Sequence, residues 1–310
     1  MLSAYKQNGQ YHEIKELHSP DEFLWLDLIV PTPDEEKLIE NVFGIDMPTR
    51  EEMAEIELSN RLYEEDGNLY LTAVVVTHAD TDTPVNEAVT FIITAKCIIT
   101  VRYQDIGAFK QYIGRLSKQR PQTHVQLFNG LVEAIISRTA DIMEKTAASV
   151  DATSRRVFRE RKERTRYEDA LSQVGISGDL ISKSRESLMT LARMLTFAAN
   201  LGNREEKAHL EVLIRDISAL SVHADFLSNK AMFLLDATLG LINYEQNNII
   251  KIFTLAATIF LPPTLISSIY GMNFHSMPEL SWHFGYPIAL GMMLISAYLP
   301  YRYFKKKGWL

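Results

Sequence analysis

The sequence predicts a mixed α/β domain followed by long antiparallel helices and two C-terminal transmembrane helices. Three features lead there: short strands alternating with short helices up to residue 104, helical periodicity without a strand pattern beyond it, and apolar segments confined to the C-terminal end. Hydrophobic residues make up 46% of the 310, as in many soluble proteins, and the mean hydropathy stays near zero because the membrane signal is local.

In chain order, Tyr5 to Ile14 reads as a hairpin turned by Asn8-Gly9, and Phe23 to Val30 as a buried strand closed by Pro31. Pro33 opens a helix over Asp34 to Val42, and Thr49 with Glu52 forms a capping box for a helix through Leu58. Leu62 to Tyr63 and Leu69 to Thr77 flank the turn Glu65-Asp66-Gly67-Asn68, and Val89 to Thr94 pairs with Cys97 to Tyr103 as a further hairpin. From Ile106 onward no strand is predicted. Apolar residues at helical spacing from Leu127 to Val157 predict a helix over Val125 to Glu160, about 50 Å long. A second runs from Glu168 to Ala199, with Gly175 and Gly178 as weak points and Gly202-Asn203 closing it. The third begins near Arg204 and continues into the bilayer.

Asp236 to Asn273 organises the rest: one helix that starts in water, enters a bilayer and ends on Tyr270-Gly271-Met272-Asn273. Ile252 to Ile269 carries no charge over 18 residues, close to the ~20 that cross a hydrocarbon core. Pro262 and Pro263 predict a kink rather than a stop, with Thr264, Ser267 and Ser268 downstream to help satisfy the freed carbonyls. Alternate steps of three and four residues place Gly240, Asn243, Asn247, Ile250, Thr254, Ala257, Leu261, Thr264 and Ser268 on one face. That face is small or polar. Small and hydroxyl residues also serve close helix packing in membranes, but the two asparagines favour a wet path, because uncharged amides hydrogen-bond the water around an ion without trapping it. Tyr286 to Tyr301 reads as the second span, with Tyr286, Tyr298, Tyr301 and Tyr303 as interfacial anchors. The loop Phe274 to Gly285 lacks Lys and Arg, whereas Arg302, Lys305, Lys306 and Lys307 follow the second span, so both termini are expected in the cytoplasm.

The net charge of −7 is uneven: Met1 to Lys110 has at least twice as many acidic as basic residues, which argues against nucleic acid as the main partner. Cys97 is the only cysteine, which leaves no intrachain disulfide and no cysteine-based zinc site, and the N-terminus has no signal-peptide pattern. No phosphate loop, HExxH, GxSxG or CxxC is present, so neither an enzyme nor an ATP-driven pump is expected. His223 with Asp225, and His275 with His283, are the pairs nearest to a soft-metal site, although scattered histidines are more often surface or core residues. Arg155, Arg156, Arg159, Arg161, Lys162, Arg164 and Arg166 form the densest basic run. It reads as a solvated helix face with Glu160 and Glu163, or as a lipid contact if the helical turn points to the membrane.

Tyr270-Gly271-Met272-Asn273 followed by Met277-Pro278-Glu279-Leu280 resembles the signature of the CorA family of divalent-cation transporters, which move magnesium. The tripeptide Gly271-Met272-Asn273, the GMN motif, closes the first of the two apolar segments, the acidic tetrapeptide lies between them, and Lys305-Lys306-Lys307-Gly308-Trp309-Leu310 ends the chain in the family's manner. The resemblance implies a CorA-like funnel: a homopentamer in the inner (cytoplasmic) membrane, because two spans cannot enclose a pore. Magnesium is then both the transported ion and a regulatory ion bound between subunits, and cobalt and nickel are possible further cargo. It assigns Gly271, Met272 and Asn273 to ion selection, with Asn273 holding the hydrated ion and Glu279 in the outer loop drawing cations. Asn247, Ile250, Thr254, Leu261, Thr264 and Ser268 line the path, and Asp236 lies farther down on the cytoplasmic side. The expected division is 1–104 as the N-terminal α/β domain, 105–203 as a helical hairpin region, and 204–270 as stalk and first span. An external loop over 271–285 and the second span with its basic tail over 286–310 complete it. Transport of zinc or another divalent metal, and a membrane-anchored cation sensor, remain the alternatives.

Overall fold

The structure, a computed structural model, describes the chain outside residues 7–9, 15–16, 18–21, 56, 82, 160–164, 203, 273–274, 276 and 310. It forms two units, Met1–Leu235 and Asp236–Leu310.

The first unit opens with β1 (Leu2–Lys6) and β2 (Tyr11–Glu13), the expected antiparallel hairpin, whose Asn8-Gly9 turn lies outside the described residues. β3 (Phe23–Ile29) is followed by α1 (Pro33–Phe43) and α2 (Arg50–Ala54). Both helices start with a capping box, Thr32 with Glu35 and Thr49 with Glu52. α2 stops well before the Leu58 expected from the sequence. Glu55 turns extended, and a separate 3-10 turn follows at Leu58–Asn60, because only Met53 of α2 is buried and tertiary packing holds no further turn. β4 (Leu62–Glu65) and β5 (Asn68–Thr77) close on Asp66 and Gly67, both with positive φ as a tight hairpin requires. β6 (Val85–Ile93), which starts earlier than predicted, and β7 (Ile98–Arg102) complete a seven-stranded sheet. Its order is β2-β1-β3-β7-β6-β5-β4, and only β3 and β7 run parallel.

The sheet is covered on both faces, which explains why β3 reads as a continuous apolar run. On one face Leu26, Leu28, Ile92, Ile99 and Val101 pack with Ile39 of α1 and Met53 of α2. On the other, Trp25 and Phe91 meet Phe109 of α3 (Gly107–Gln119) and Phe128 of α4 (His124–Arg159). α3 is an element that the sequence reading did not resolve, although Ala108, Phe109, Tyr112 and Leu116 have the spacing of one buried helical face. Asp27 lies in the middle of β3 and is fully buried. Its carboxylate accepts Arg102 Nε at 3.1 Å and Nη2 at 2.8 Å, and Thr100 Oγ1 at 2.7 Å.

α4 and α5 (Thr165–Leu201) are the two long helices expected. Glu160, Arg161, Lys162, Glu163 and Arg164, from the basic run, lie outside the described residues. α5 runs unbroken through Gly175 and Gly178 because its buried side recurs every seven residues, at Ala170, Ser177, Ser184, Leu191 and Ala198, and packing outweighs the glycine cost of about 1 kcal/mol each. Thr190 Oγ1 accepts the Val74 amide at 3.0 Å and ties α5 to β5. The Gly202 amide caps the Ala198 carbonyl, while Asn203 lies outside the described residues. α6 (Arg204–Tyr270) is a single helix of 67 residues. Within the first unit it buries Leu210, Leu213, Ile217, Ala224, Leu227, Ala231 and Leu234, a stripe at steps of three and four apart from one step of seven after Ile217. Lys230 pairs with Asp151 of α4, and Asp225 with Arg185 of α5 at 3.2 Å. The second unit comprises the rest of α6, a 3-10 turn at Pro278–Leu280, and α7 (Gly285–Lys306).

Candidate ion pathway

α6 is the one helix among the described residues that is apolar and long enough to cross a membrane: its best 18-residue window has a mean hydropathy of 1.9 and is 6% buried. It passes through Pro262 and Pro263 without ending. Thr264 Oγ1 donates to the Phe260 carbonyl at 2.7 Å, and Thr258 Oγ1 to the Thr254 carbonyl at 2.8 Å. The carbonyls that lose an amide donor to the prolines belong to Thr258 and Ile259, four residues upstream. The expectation that downstream hydroxyls satisfy them is therefore corrected, since a Thr or Ser hydroxyl reaches back three or four residues. Thr264 thus reinforces Phe260 instead.

Every member of the predicted stripe, from Gly240 through Asn243, Asn247, Ile250, Thr254, Ala257, Leu261 and Thr264 to Ser268, is exposed on the single chain. Ile250 is 61% and Leu261 65% exposed, so the two large apolar members project from the same open face as the amides and hydroxyls. The covered side of the helix is a different one. Leu255 is only 7% exposed, Lys251 lies over the Trp309 ring at 5.6 Å, and Thr258 borders a groove shared with α7. Asp236, the first residue of this unit, is exposed as well.

At the end of α6 the Gly271 amide donates to the Ser267 carbonyl at 3.0 Å, and the Met272 amide to Ile269 at 3.3 Å. Gly271 does not adopt a positive φ. A Cβ at this position would lie 3.2 Å from the Ser267 carbonyl oxygen, so glycine serves close approach to the last helical turn rather than a left-handed bend. Asn273 lies outside the described residues. Glu279 is exposed in the Pro278–Leu280 turn, and the buried Gly285 packs directly under its backbone carbonyl. Gly285 was not singled out from the sequence, where nothing distinguishes it from a flexible loop glycine.

The acidic excess of the first unit gathers partly around a cleft of about 480 Å³ bordered by Asp46, Glu52, Glu55, Glu64 and Glu65. Among the described residues, however, no three His, Cys, Asp or Glu side chains converge as metal ligands. Asp225 is engaged by Arg185, and His223 lies against Phe226. His124, in a neighbouring cleft with Glu206, has its pKa lowered by burial, against the opposing charge of Glu206.

The α/β fold of the first unit together with an apolar helix long enough to cross a membrane is the architecture of a membrane protein. The chain belongs to the CorA family: the profile described as "CorA-like Mg2+ transporter protein" matches residues 20–306. Magnesium transport protein CorA of Yersinia pseudotuberculosis is 38% identical over 321 aligned residues, and that of Escherichia coli 36% over 319, each alignment covering 100% of both chains. Both are named as transport proteins, not enzymes. The CorA magnesium transporter of Methanocaldococcus jannaschii has the same fold, with a TM-score of 0.78 at 19% identity over 100% of this chain and 99% of that one. The ZntB cytoplasmic domain of Vibrio parahaemolyticus shares the soluble fold, with a TM-score of 0.60 at 10% identity over 78% of this chain and 98% of that one.

Proposed function

We propose that this chain is a channel-like magnesium uptake protein of the inner membrane, working as a homopentamer with both termini in the cytoplasm. The observation that carries the reading is the single face of α6 that gathers amides, hydroxyls and small side chains from Asn243 to Ser268: amides facing hydrocarbon would be costly, whereas a water-filled axis between copies of α6 satisfies them. In this reading α7, whose 22 residues make about 33 Å of helix, is the second span outside the axis, although it is less apolar than the apolar segment of α6 and does not reach the hydropathy of a membrane span by itself. The five segments 1–104, 105–203, 204–270, 271–285 and 286–310 then act as sensor domain, helical hairpin, stalk with pore helix, external mouth, and outer span with basic tail.

Magnesium holds its waters tightly and prefers octahedral oxygen. A ring of Asn273 carboxamides at the outer mouth, set by Gly271 and Met272, selects the ion through that retained shell, and Glu279 raises the local cation concentration. Inside, Asn247, Thr254, Thr264 and Ser268 offer polar contacts, Ile250 and Leu261 form apolar constrictions that close by dewetting, and Asp236 receives the ion on the cytoplasmic side. Two charges moving inward through 100 mV release about 4.6 kcal/mol, so uptake requires no chemical fuel. Internal magnesium bound by carboxylates of the first unit closes the path, and cobalt and nickel follow the same route. Uptake into protein-containing liposomes under an inside-negative potential, compared across magnesium, cobalt, nickel and zinc, tests the reading. Magnesium flux that depends on Asn273 supports it, and flux of zinc without magnesium overturns it.

A further inference from the structure

The second unit contains a groove of about 640 Å³ between Thr258 on α6 and Leu299, Pro300 and Tyr303 on α7, with Arg302 and Lys306 also on its border. Its surface is mostly apolar, and the exposed side chains of Arg302 and Lys306 stand at its edge. The tail folds back at its end: Gly308 takes φ +70°, the Trp309 amide donates to the Phe304 carbonyl at 3.0 Å, and the two rings stack at 5.3 Å. Lys251, Lys305 and Lys307 each lie over an aromatic ring, that of Trp309, Tyr301 and Tyr303 respectively. Among the described residues, neither Arg302 nor Lys306 forms an ion pair, and the acidic residues of this unit are only Asp236, Glu245 and Glu279. Leu299 and Tyr303 are largely open to the surroundings, so the groove is accessible from the side.

We infer that this groove binds an anionic phospholipid, its phosphate held by Arg302 and Lys306 and an acyl chain lying along Leu299, Pro300 and Thr258. A small soluble anion would leave the apolar groove unmatched, and a neutral lipid would gain nothing from the two cations at its edge. The position fits, because a basic pocket between spans at the cytoplasmic boundary is where anionic headgroups lie. The inference rests on the reading of α7 as a second span. Each basic side chain near anionic lipid contributes about a fivefold preference, which predicts roughly 30-fold for the pair.

The test titrates the full-length protein in neutral detergent with phosphatidylglycerol, with phosphatidylcholine of the same chains, and with inorganic phosphate, and counts bound lipid by native mass spectrometry. Native protein should favour phosphatidylglycerol over phosphatidylcholine by roughly 30-fold, and the Arg302→Gln/Lys306→Gln variant should lose that preference. Lys305→Gln/Lys307→Gln should keep most of it, and Thr258→Trp, which fills the groove and leaves the charges, should weaken lipid binding without loss of the oligomer. Equal binding of the two lipids overturns the inference, as does an equal loss in the two charge variants, which marks diffuse surface attraction. Displacement by inorganic phosphate alone also overturns it in favour of a soluble anion. Magnesium uptake by native protein in liposomes is measured in parallel. Uptake without lipid selectivity sinks only the groove, whereas absent uptake sinks the transport reading.

Discussion

Gly285, the first residue of α7, packs against the carbonyl of Glu279 so closely that a Cβ built on it would overlap that oxygen. The contact folds the acidic loop back onto the start of α7, where the Gly285 amide also donates to the Trp282 carbonyl at 2.9 Å. Gly285→Ala must displace the Glu279 turn. At low ionic strength and low external magnesium it should reduce uptake by about tenfold, the smaller end of what electrostatic focusing supplies. Combined with Glu279→Ala it should cost no more than the larger single effect, because both act through one carboxylate. Initial uptake rates of the two single variants and the double variant in liposomes decide this.

Asn273→Ala should abolish magnesium uptake while the assembly remains intact by size exclusion. Glu279→Ala should only weaken uptake, with the loss fading as salt rises, because its contribution is screened over a Debye length of about 8 Å at physiological ionic strength. An intact Asn273→Ala assembly with native rates would show that selection lies elsewhere.

Ile250 and Leu261 are the large apolar members of an open polar face. Replacing either with Ser should let ions leak when internal magnesium is high, a condition under which the native protein should be shut. Flux measured with magnesium trapped inside liposomes reports this directly. Unchanged flux in both variants moves the barrier to another part of α6.

Millimolar magnesium should raise the melting temperature of the assembly and slow its proteolysis, because a ligand bound only by the native state stabilises it by mass action. Removal of magnesium with a chelator should reverse both effects. Identical melting curves with and without magnesium would count against internal sensing.

Asp27→Ala should destabilise the first unit by about 3–5 kcal/mol, since it leaves the buried Arg102 guanidinium without its carboxylate. Burial works against that charge, yet the hydrogen bonds and charge of Asp27 hold the Arg102 pKa above its ordinary value. Asp27→Leu combined with Arg102→Met should recover much of the loss. Thermal unfolding of the three variants separates an unpaired charge from a packing defect.

The long helices, the Thr49–Glu52 capping box and the polar face of α6 were legible in the sequence because each follows a local rule: a cap acts over three residues, and a helical face repeats every three or four. The Asp66-Gly67 turn was equally plain. The same rules mislead where packing decides. α2 ends at Ala54 although its cap is intact, and Gly175 and Gly178 leave α5 unbroken because its buried side continues past them. α3 went unnoticed beside the stronger periodicity of α4, although Ala108, Phe109, Tyr112 and Leu116 carry it.

The sequence by itself determined that an uncharged 18-residue run with small and polar residues on one face follows a long helical region, since hydropathy and periodicity are properties of consecutive residues. Only the tertiary structure decided the sheet order, with β3 beside β7, and the pairing of Asp27 with Arg102 across 75 positions. It also decided the contact of Gly285 with Glu279 and the groove that joins Thr258 to Arg302 and Lys306. These relationships arise when separate elements are brought together. No local propensity carries them, because the free energy that selects a partner comes from burial and charge pairing between segments that are strangers in sequence.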